Sequence, residues 1–384
     1  MNNKKKVMLI VPMLHQGGFE RVCVATARLL APYCEVCIVL FDSHDIAYDI
    51  EGLDIIDIHL GVREGLIGKV FRVLQRSLKV RQLKRQLRPD IAYSLGSTAN
   101  IVNALSGRQA KIWVGLRSYM DMEDEGKIRL FVKKADKILC CSKKIEEELR
   151  EKYRCDKAVT LYNPLDMADL QTKAEAEKPQ LPWKDDRRII VSMGREDDVK
   201  GFWHLIKAFA LVKRKAADTG LMIVGDGDFK PYKKLAEELG VGEDVYFTGM
   251  KRNPFPYLQS AQIYALTSYR EGFPNALVEA MALGLPAIAT DCPTGPAEIL
   301  EDQYGILIDN MSPEVNYDAS VITEEESNLA AQIKDLLENP EQMAHYREMS
   351  MKRARDFTNE KYVELIQKKK QNLQYSVLKT WRYT

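Results

Sequence analysis

The sequence predicts an α/β protein built as two doubly wound domains. Short apolar runs alternate with helical patterns along nearly the whole chain, and those runs lack the strict period-two polarity of a half-exposed sheet. The rhythm breaks once, in a charged stretch with two prolines, and then resumes. A length of 384 residues exceeds one ordinary core and suits two.

The expected first domain spans 1–168. A buried strand at 6–14 (KVMLIVPML) leads into an amphipathic helix at 19–33. Further strands fall at 35–41, 53–60, 89–96, 110–118 and 135–142, with helices between them. Residues 169–188 form the break. The expected second domain, 186–360, repeats the pattern with strands at 188–195, 220–227, 244–250, 262–268, 285–291 and 304–309. Its helices are expected near 203–216, 230–239, 255–260, 275–283 and 325–339. The tail from about 359 reads as helical and very basic. In sheets of this kind ligands gather outside the carboxyl ends of the strands, so a cleft between the two carboxyl edges is the natural site.

Composition narrows the function. Lys and Arg total 56 against 55 for Asp and Glu, so any attraction to a polyanion must come from a local patch, and nucleic acid is not an expected partner. The basic start is followed by an apolar run too short for a signal peptide, and no run approaches the roughly 18 apolar residues of a spanning helix. The seven cysteines (23, 34, 37, 140, 141, 155 and 292) form no paired metal knuckle; reduced thiols in a cytosolic protein are expected.

Four motifs carry candidate chemistry. In SYREGFPNALVEAMALGLPAIATD, Glu271 and Glu279 bracket a Gly-Phe-Pro turn and the start of a helix whose free N–H groups favour an anion. Spacing alone leaves that pair equally readable as ordinary helix chemistry. MGREDDVKGF places Arg195 and Lys200 in a loop at the same sheet edge, where two cations can clamp a diphosphate. Gly17 and Gly18 join the first strand to the first helix; alone they read as a turn. The D-x-D in GDGD (225–228) sits after a strand with alternating glycines and reads as a turn, not a metal site. A P-loop is excluded, because REGLIGKV lacks both the first Gly and the final hydroxyl.

These motifs, with LYNPLD (161–166) and the stretch 223–268, resemble the retaining glycosyltransferases of family 4, in order and over nearly the whole chain. The resemblance implies a GT-B fold of two Rossmann-like domains facing across a cleft, with a helix at about 361–384 crossing back to the first. It implies that Arg195 and Lys200 bind the diphosphate of a UDP-sugar, and that Glu279 binds the ribose. Glu271 would meet the transferred sugar, with backbone N–H groups of Gly272, Phe273 and Asn275. The backbone at Met250 would meet the base, and Gly17 and Gly18 would close over the phosphates. Many members carry a His after the strand near 110–115; here Arg117 stands in that region and is the second catalytic candidate beside Glu271. No metal and no cofactor are implied. RS at 117–118, GGFER and DCPTGP are similar to the branch that extends undecaprenyl-diphosphate-linked oligosaccharides.

Residues 63–90 are the strongest local charge asymmetry. On a helical wheel Lys69, Arg72, Arg76 and Lys79 share one face and Ile67, Val70, Phe71, Leu74 and Leu78 another. After about Lys79 basic residues take the apolar azimuth, so the helix is expected to break there or to change surroundings. From residues alone this reads equally as a packed helix with a solvated cationic face; in a domain that should hold the acceptor, the basic face suits an anionic membrane surface or a lipid diphosphate. The leading expectation is a peripheral, inner-face enzyme moving a hexose or N-acetylhexosamine from a UDP-sugar to a polyprenyl-diphosphate-linked glycan. A transferase for a soluble acceptor, or a non-catalytic nucleotide-sugar binder, stays open from residues alone.

Overall fold

The computed structural model describes residues 4–15, 17–183 and 186–368. The chain divides into unit 1, formed by Met1–Pro164 with the chain from Asn359 onward, and unit 2, Leu165–Thr358. The expected boundaries were 168 and 360.

Unit 1 holds a seven-stranded sheet: β1 (Lys5–Val11), β2 (Cys34–Leu40), β3 (Asp54–Asp57), β4 (Ile91–Leu95), β5 (Lys111–Leu116), β6 (Lys137–Cys140) and β7 (Ala158–Thr160). All pairings are parallel, in the order β3-β2-β1-β4-β5-β6-β7. Strand β1 explains the unbroken apolar run. Val7, Leu9 and Val11 enter a core with Val22 and Ala27 of helix α1 (Gly18–Leu30), while Met8 and Ile10 enter a second core with Val80 and Leu83 of helix α2 (Leu66–Leu87). Both faces are covered, so neither face reads polar. The short β7 was not among the expected strands.

Helix α2 is unbroken through its 22 residues, which corrects the expected break near Lys79. Nothing from Lys69 to Leu87 is Gly or Pro, so a change of polarity alone does not end it. What changes is its surroundings. The first turns are mostly exposed, and burial begins in earnest at Arg76. Arg76 points inward: its Nε donates to Leu60 O at 2.8 Å and its guanidinium lies 4.5 Å from the Phe41 ring centre. This corrects its assignment to an outward basic face.

Lys84 is fully buried. Its Nζ donates to Asn103 Oδ1 at 2.8 Å, with the carbonyls of Asn103 and Gly107 at 3.4 and 3.3 Å. Asn103 lies on helix α3 (Ser97–Leu105) and donates onward to Ala92 O, Ser94 Oγ and Trp113 O. All three acceptors of Lys84 are neutral, and burial pushes its pKa down to about 8. The unfolded chain holds that proton up to about pH 10.4. The folded state therefore binds fewer protons between those values, and stability rises with pH across that window by up to about 3 kcal/mol. Urea midpoints at pH 7.5 and 9.5 should climb more in the wild type than in Lys84→Met; equal slopes would count against this reading.

Unit 2 holds β8 (Arg188–Met193), β9 (Thr219–Val224), β10 (Val245–Phe247), β11 (Ile263–Leu266), β12 (Ala287–Thr290) and β13 (Ile306–Ile308). They are parallel, in the order β10-β9-β8-β11-β12-β13. Its core gathers Trp203, Phe209, Leu221, Ile263 and Ile333. The expected linker is partly structured. Helix Met167–Glu175, capped by Asp166, belongs to unit 2, and Lys173 O accepts from Asn253 Nδ2 at 2.7 Å. Leu165 N donates to Phe357 O at 2.9 Å and Leu165 bridges to Thr358, so the chain enters and leaves unit 2 side by side.

The helix at 359–368 belongs to unit 1: Tyr362 OH and Thr26 Oγ1 lie 2.7 Å apart, and Tyr362 and Ile366 join the core around α1. The rest of the expected C-terminal helix, 369–384, lies outside the described residues. All seven cysteines are free thiols. Among the described residues no helix is long and apolar enough to cross a membrane.

Candidate active site

The order of the second sheet creates the site. Strands β8 and β11 are neighbours, with Ile190 opposite Ile263. The chain leaves β8 toward β9 on one side and leaves β11 toward β12 on the other. The loops following β8 and β11 therefore diverge and open a crevice at the carboxyl edge.

The loop after β8 brings the cations. Asp197 accepts from Val199 N and starts a single 3-10 turn, Asp198–Lys200. Gly201 then takes φ +58 and caps the helix Phe202–Lys213. A Cβ on Gly201 would lie 2.4 Å from Thr267 O, so only glycine allows this approach of the loop to the end of β11. Thr267 Oγ1 donates to Lys200 O at 2.9 Å and fixes the same approach. Arg195 is exposed and pairs with Asp197 at 3.0 Å.

The loop after β11 brings the carboxylates. Lys200 Nζ donates to Glu271 Oε1 at 2.7 Å, and the two side chains are only 24 % and 12 % exposed. This ion pair joins the two loops across the strand-order reversal. Pro274 is the cap itself, one residue before the expected first turn, and the helix is Asn275–Ala282. Glu279 is 2 % exposed, so it is not a solvated helix residue. Both carboxylates reach one buried neighbour: burial first, then the charges of Glu271 and Glu279, push the Tyr264 phenol well above its ordinary range. Burial, with Glu271 next, pushes the Cys292 thiol up to about 12.

Supports that sequence reasoning did not single out lie behind these loops. Thr294 Oγ1 donates to Glu271 O, and Gly295, at φ +95, passes so close that a Cβ would meet Pro274 Cδ at 2.5 Å. Their signal is DCPTGP, which the sequence offers only as a branch similarity. Phe273 is buried, with its ring 5.3 Å from that of Phe357, so it braces the turn. Gly272 is buried and Asn275 half-buried. Met250 is exposed beyond β10 at the same carboxyl edge.

The GDGD turn backs the cation loop. Glu196 N donates to Asp226 O at 2.6 Å, Glu196 Oε2 accepts from Phe229 N at 3.0 Å, and a Cβ on Gly225 would fall 1.8 Å from Gly194 O. Asp228 is engaged with Lys230 at 2.7 Å, which holds its carboxyl below the usual range. Among the described residues no group of three His, Cys, Asp or Glu side chains could hold a metal.

Unit 1 has its own reversal between β1 and β4. Gly17, extended at φ −170, caps α1 there, and Gly18 begins the helix. Gly17 N donates to Tyr48 OH at 2.9 Å, and a Cβ at Gly17 would meet Glu20 Oε2 at 2.2 Å. Arg117 follows β5 and is hydrogen-bonded within unit 1. Its guanidinium donates to Leu161 O at 2.9 Å, to Asn163 Oδ1 at 3.2 Å and to Tyr93 OH. These bonds tie the end of β5 to 161–163. Lys69 and Lys79 are exposed on α2 and Arg72 is half-buried.

Residues 173–353 match the family model Glycosyl transferases group 1, and residues 16–169 match Glycosyltransferase Family 4. An uncharacterized glycosyltransferase of Methanocaldococcus jannaschii is 28 % identical over 334 residues, covering 77 % of this chain and 82 % of that one. The N-acetylgalactosamine-N,N'-diacetylbacillosaminyl-diphospho-undecaprenol 4-alpha-N-acetylgalactosaminyltransferase of Campylobacter jejuni is 26 % identical over 371 residues, covering 92 % and 96 %. Anabaena HepE in complex with UDP-glucose aligns with a TM-score of 0.77 at 19 % identity over 96 % of this chain and 99 % of that one. Sucrose-phosphate synthase from Thermosynechococcus elongatus aligns at 0.76 and 17 %, over 97 % and 100 %. At those identities the likeness establishes the fold, the GT-B class with two Rossmann-like units.

Proposed function

We propose, from the premise that this chain belongs to the family 4 glycosyltransferases, that it moves a hexose or N-acetylhexosamine from a UDP-sugar to a polyprenyl-diphosphate-linked glycan, with retention at the anomeric carbon. The observation that carries the donor reading is the Lys200–Glu271 pair at the strand-order reversal, with Arg195 on the same loop and Glu279 buried behind. Lys200 and Arg195, with the positive dipole end of Asn275–Ala282, stabilise charge on the departing diphosphate without a metal. Glu271 holds the hydroxyls of the transferred sugar, Glu279 the ribose, and the backbone at Met250 the base.

In the reaction the bond from the anomeric carbon to the diphosphate oxygen breaks. The bond to the acceptor oxygen forms on the same face, and the leaving phosphate takes the acceptor proton. The acceptor reading leans on the C. jejuni relative, whose name specifies an undecaprenol-diphosphate-linked substrate. On that reading the protein works at the inner face of the cell membrane in surface-glycan assembly. The test is a panel of UDP-sugars with polyprenyl-linked acceptor mimics, read by mass spectrometry, with the product anomer assigned by NMR. One donor should give a retained linkage, with full activity in EDTA. Strict metal dependence, an inverted product or no UDP binding would overturn the proposal.

A further inference from the structure

Besides Val80 and Leu83, which it buries, helix α2 carries a second apolar stripe that faces outward. Arg76 and Lys84 face the core while Leu66, Ile67, Val70, Phe71, Leu74 and Leu78 face out, at 83, 88, 63, 49, 53 and 66 % exposure. At about 100° per residue these six fall within about 140° of azimuth, and at about 1.5 Å per residue they run about 18 Å along the axis. A contiguous apolar stripe of this kind marks an interaction surface, where scattered single residues would not.

Its surroundings identify the partner. From Arg63 to Arg88 the only acid is Glu64. Lys69 and Lys79 are exposed beside the stripe, and Arg81, Arg85 and Arg88 continue its azimuth on the second half of the helix. A second copy of this chain docking on the same face would bring two cationic edges together. An anionic bilayer satisfies both halves, because acyl chains accept the apolar residues and headgroups accept the cations.

We propose that α2 is an in-plane membrane anchor whose first three turns insert Ile67, Val70, Phe71 and Leu74 below the headgroups of an anionic leaflet, while its second half rides on the phosphates. This rests on the reading of a lipid-linked acceptor and adds that attachment is hydrophobic in its core, where the sequence alone suggested an electrostatic contact. The apolar stripe, not the inward Arg76, then does the holding.

The experiment is flotation of the full chain with vesicles of phosphatidylcholine containing phosphatidylglycerol, at low and at 0.5 M salt (roughly threefold shorter screening lengths). The wild type should float in both, more weakly at high salt. Ile67→Gln, Phe71→Gln and Leu74→Gln together should reduce binding at least tenfold while UDP binding is unchanged. Because these side chains are exposed, the triple variant should keep the wild-type melting temperature. Lys69→Gln with Lys79→Gln should weaken only the low-salt binding. A triple variant that floats like the wild type would overturn the proposal. So would a wild-type dimer that the triple variant dissolves. Floating with transfer only to soluble acceptors would remove the lipid-linked acceptor and leave the anchor standing. Transfer to a lipid-linked acceptor in detergent without flotation would do the reverse.

Discussion

Replacing Glu271 with glutamine is expected to reduce sugar transfer about 10²–10³-fold while UDP binds at least as tightly as before. The two halves of that result come from one contact. In the described site the Lys200 ammonium already has a counter-ion, Glu271 Oε1 at 2.7 Å. A diphosphate arriving at Lys200 must compete with it. Removing the carboxylate's charge ends the competition, and an ion pair this sheltered is worth about 1 kcal/mol, so UDP gains about fivefold. Transfer suffers because a neutral amide no longer accepts strongly from the sugar hydroxyls. Lys200→Met should behave oppositely, weakening UDP about 10- to 100-fold through the lost charge-assisted bonds. Calorimetry with UDP and single-turnover transfer separate the two variants. If Glu271→Gln lost UDP affinity as severely as Lys200→Met, the competition described here would be wrong.

Gly201→Ala should melt unit 2 about 5–15 °C lower and weaken UDP binding with it. Two costs add at this position. Alanine at φ +58 is strained by about 1 kcal/mol. Its Cβ would also sit 2.4 Å from Thr267 O, a backbone atom held at the end of β11. Either the loop or the strand end must move, for a combined cost of about 2–4 kcal/mol. Movement of either displaces Lys200, whose carbonyl accepts from Thr267 Oγ1. Differential scanning calorimetry with and without UDP reads both effects, and an unchanged melting temperature would show that the loop has slack the structure does not display.

Much of this architecture is legible in the sequence. The six strands expected in the second domain all occur, because each is a continuous apolar run with both faces covered. In the first domain β7 was missed: three residues carry too little pattern to separate a strand from a loop. Residues 169–188 read as linker from charge and proline, yet Met167–Glu175 is a helix capped by Asp166, with Leu170 and Ala174 as its buried face. Two buried side chains give a weak period.

The site shows the same division. Glu271, Glu279, Arg195 and Lys200 were legible as residue types at the right edge. That β8 and β11 are neighbours, and that Lys200 therefore meets Glu271, is a property of strand order and is not written in local spacing. The partners of Arg76 and Arg117 are hidden for a related reason. A helical wheel, or a position after a strand, gives a side chain's azimuth but not its partner. Here Leu60 O and Phe41 claim one guanidinium, while Leu161 O, Asn163 and Tyr93 claim the other.

The paired entry and exit at Leu165 and Thr358 set an order of assembly during synthesis. Unit 2 is one uninterrupted stretch of chain, so all of its strands have left the ribosome once residue 358 is made. Unit 1 is written in two instalments. Its sheet is translated first, but Tyr362 and Ile366, which complete the core around α1, arrive only after the whole of unit 2. The unit translated first is thus the one finished last, and its core waits, incomplete, while its neighbour is synthesised.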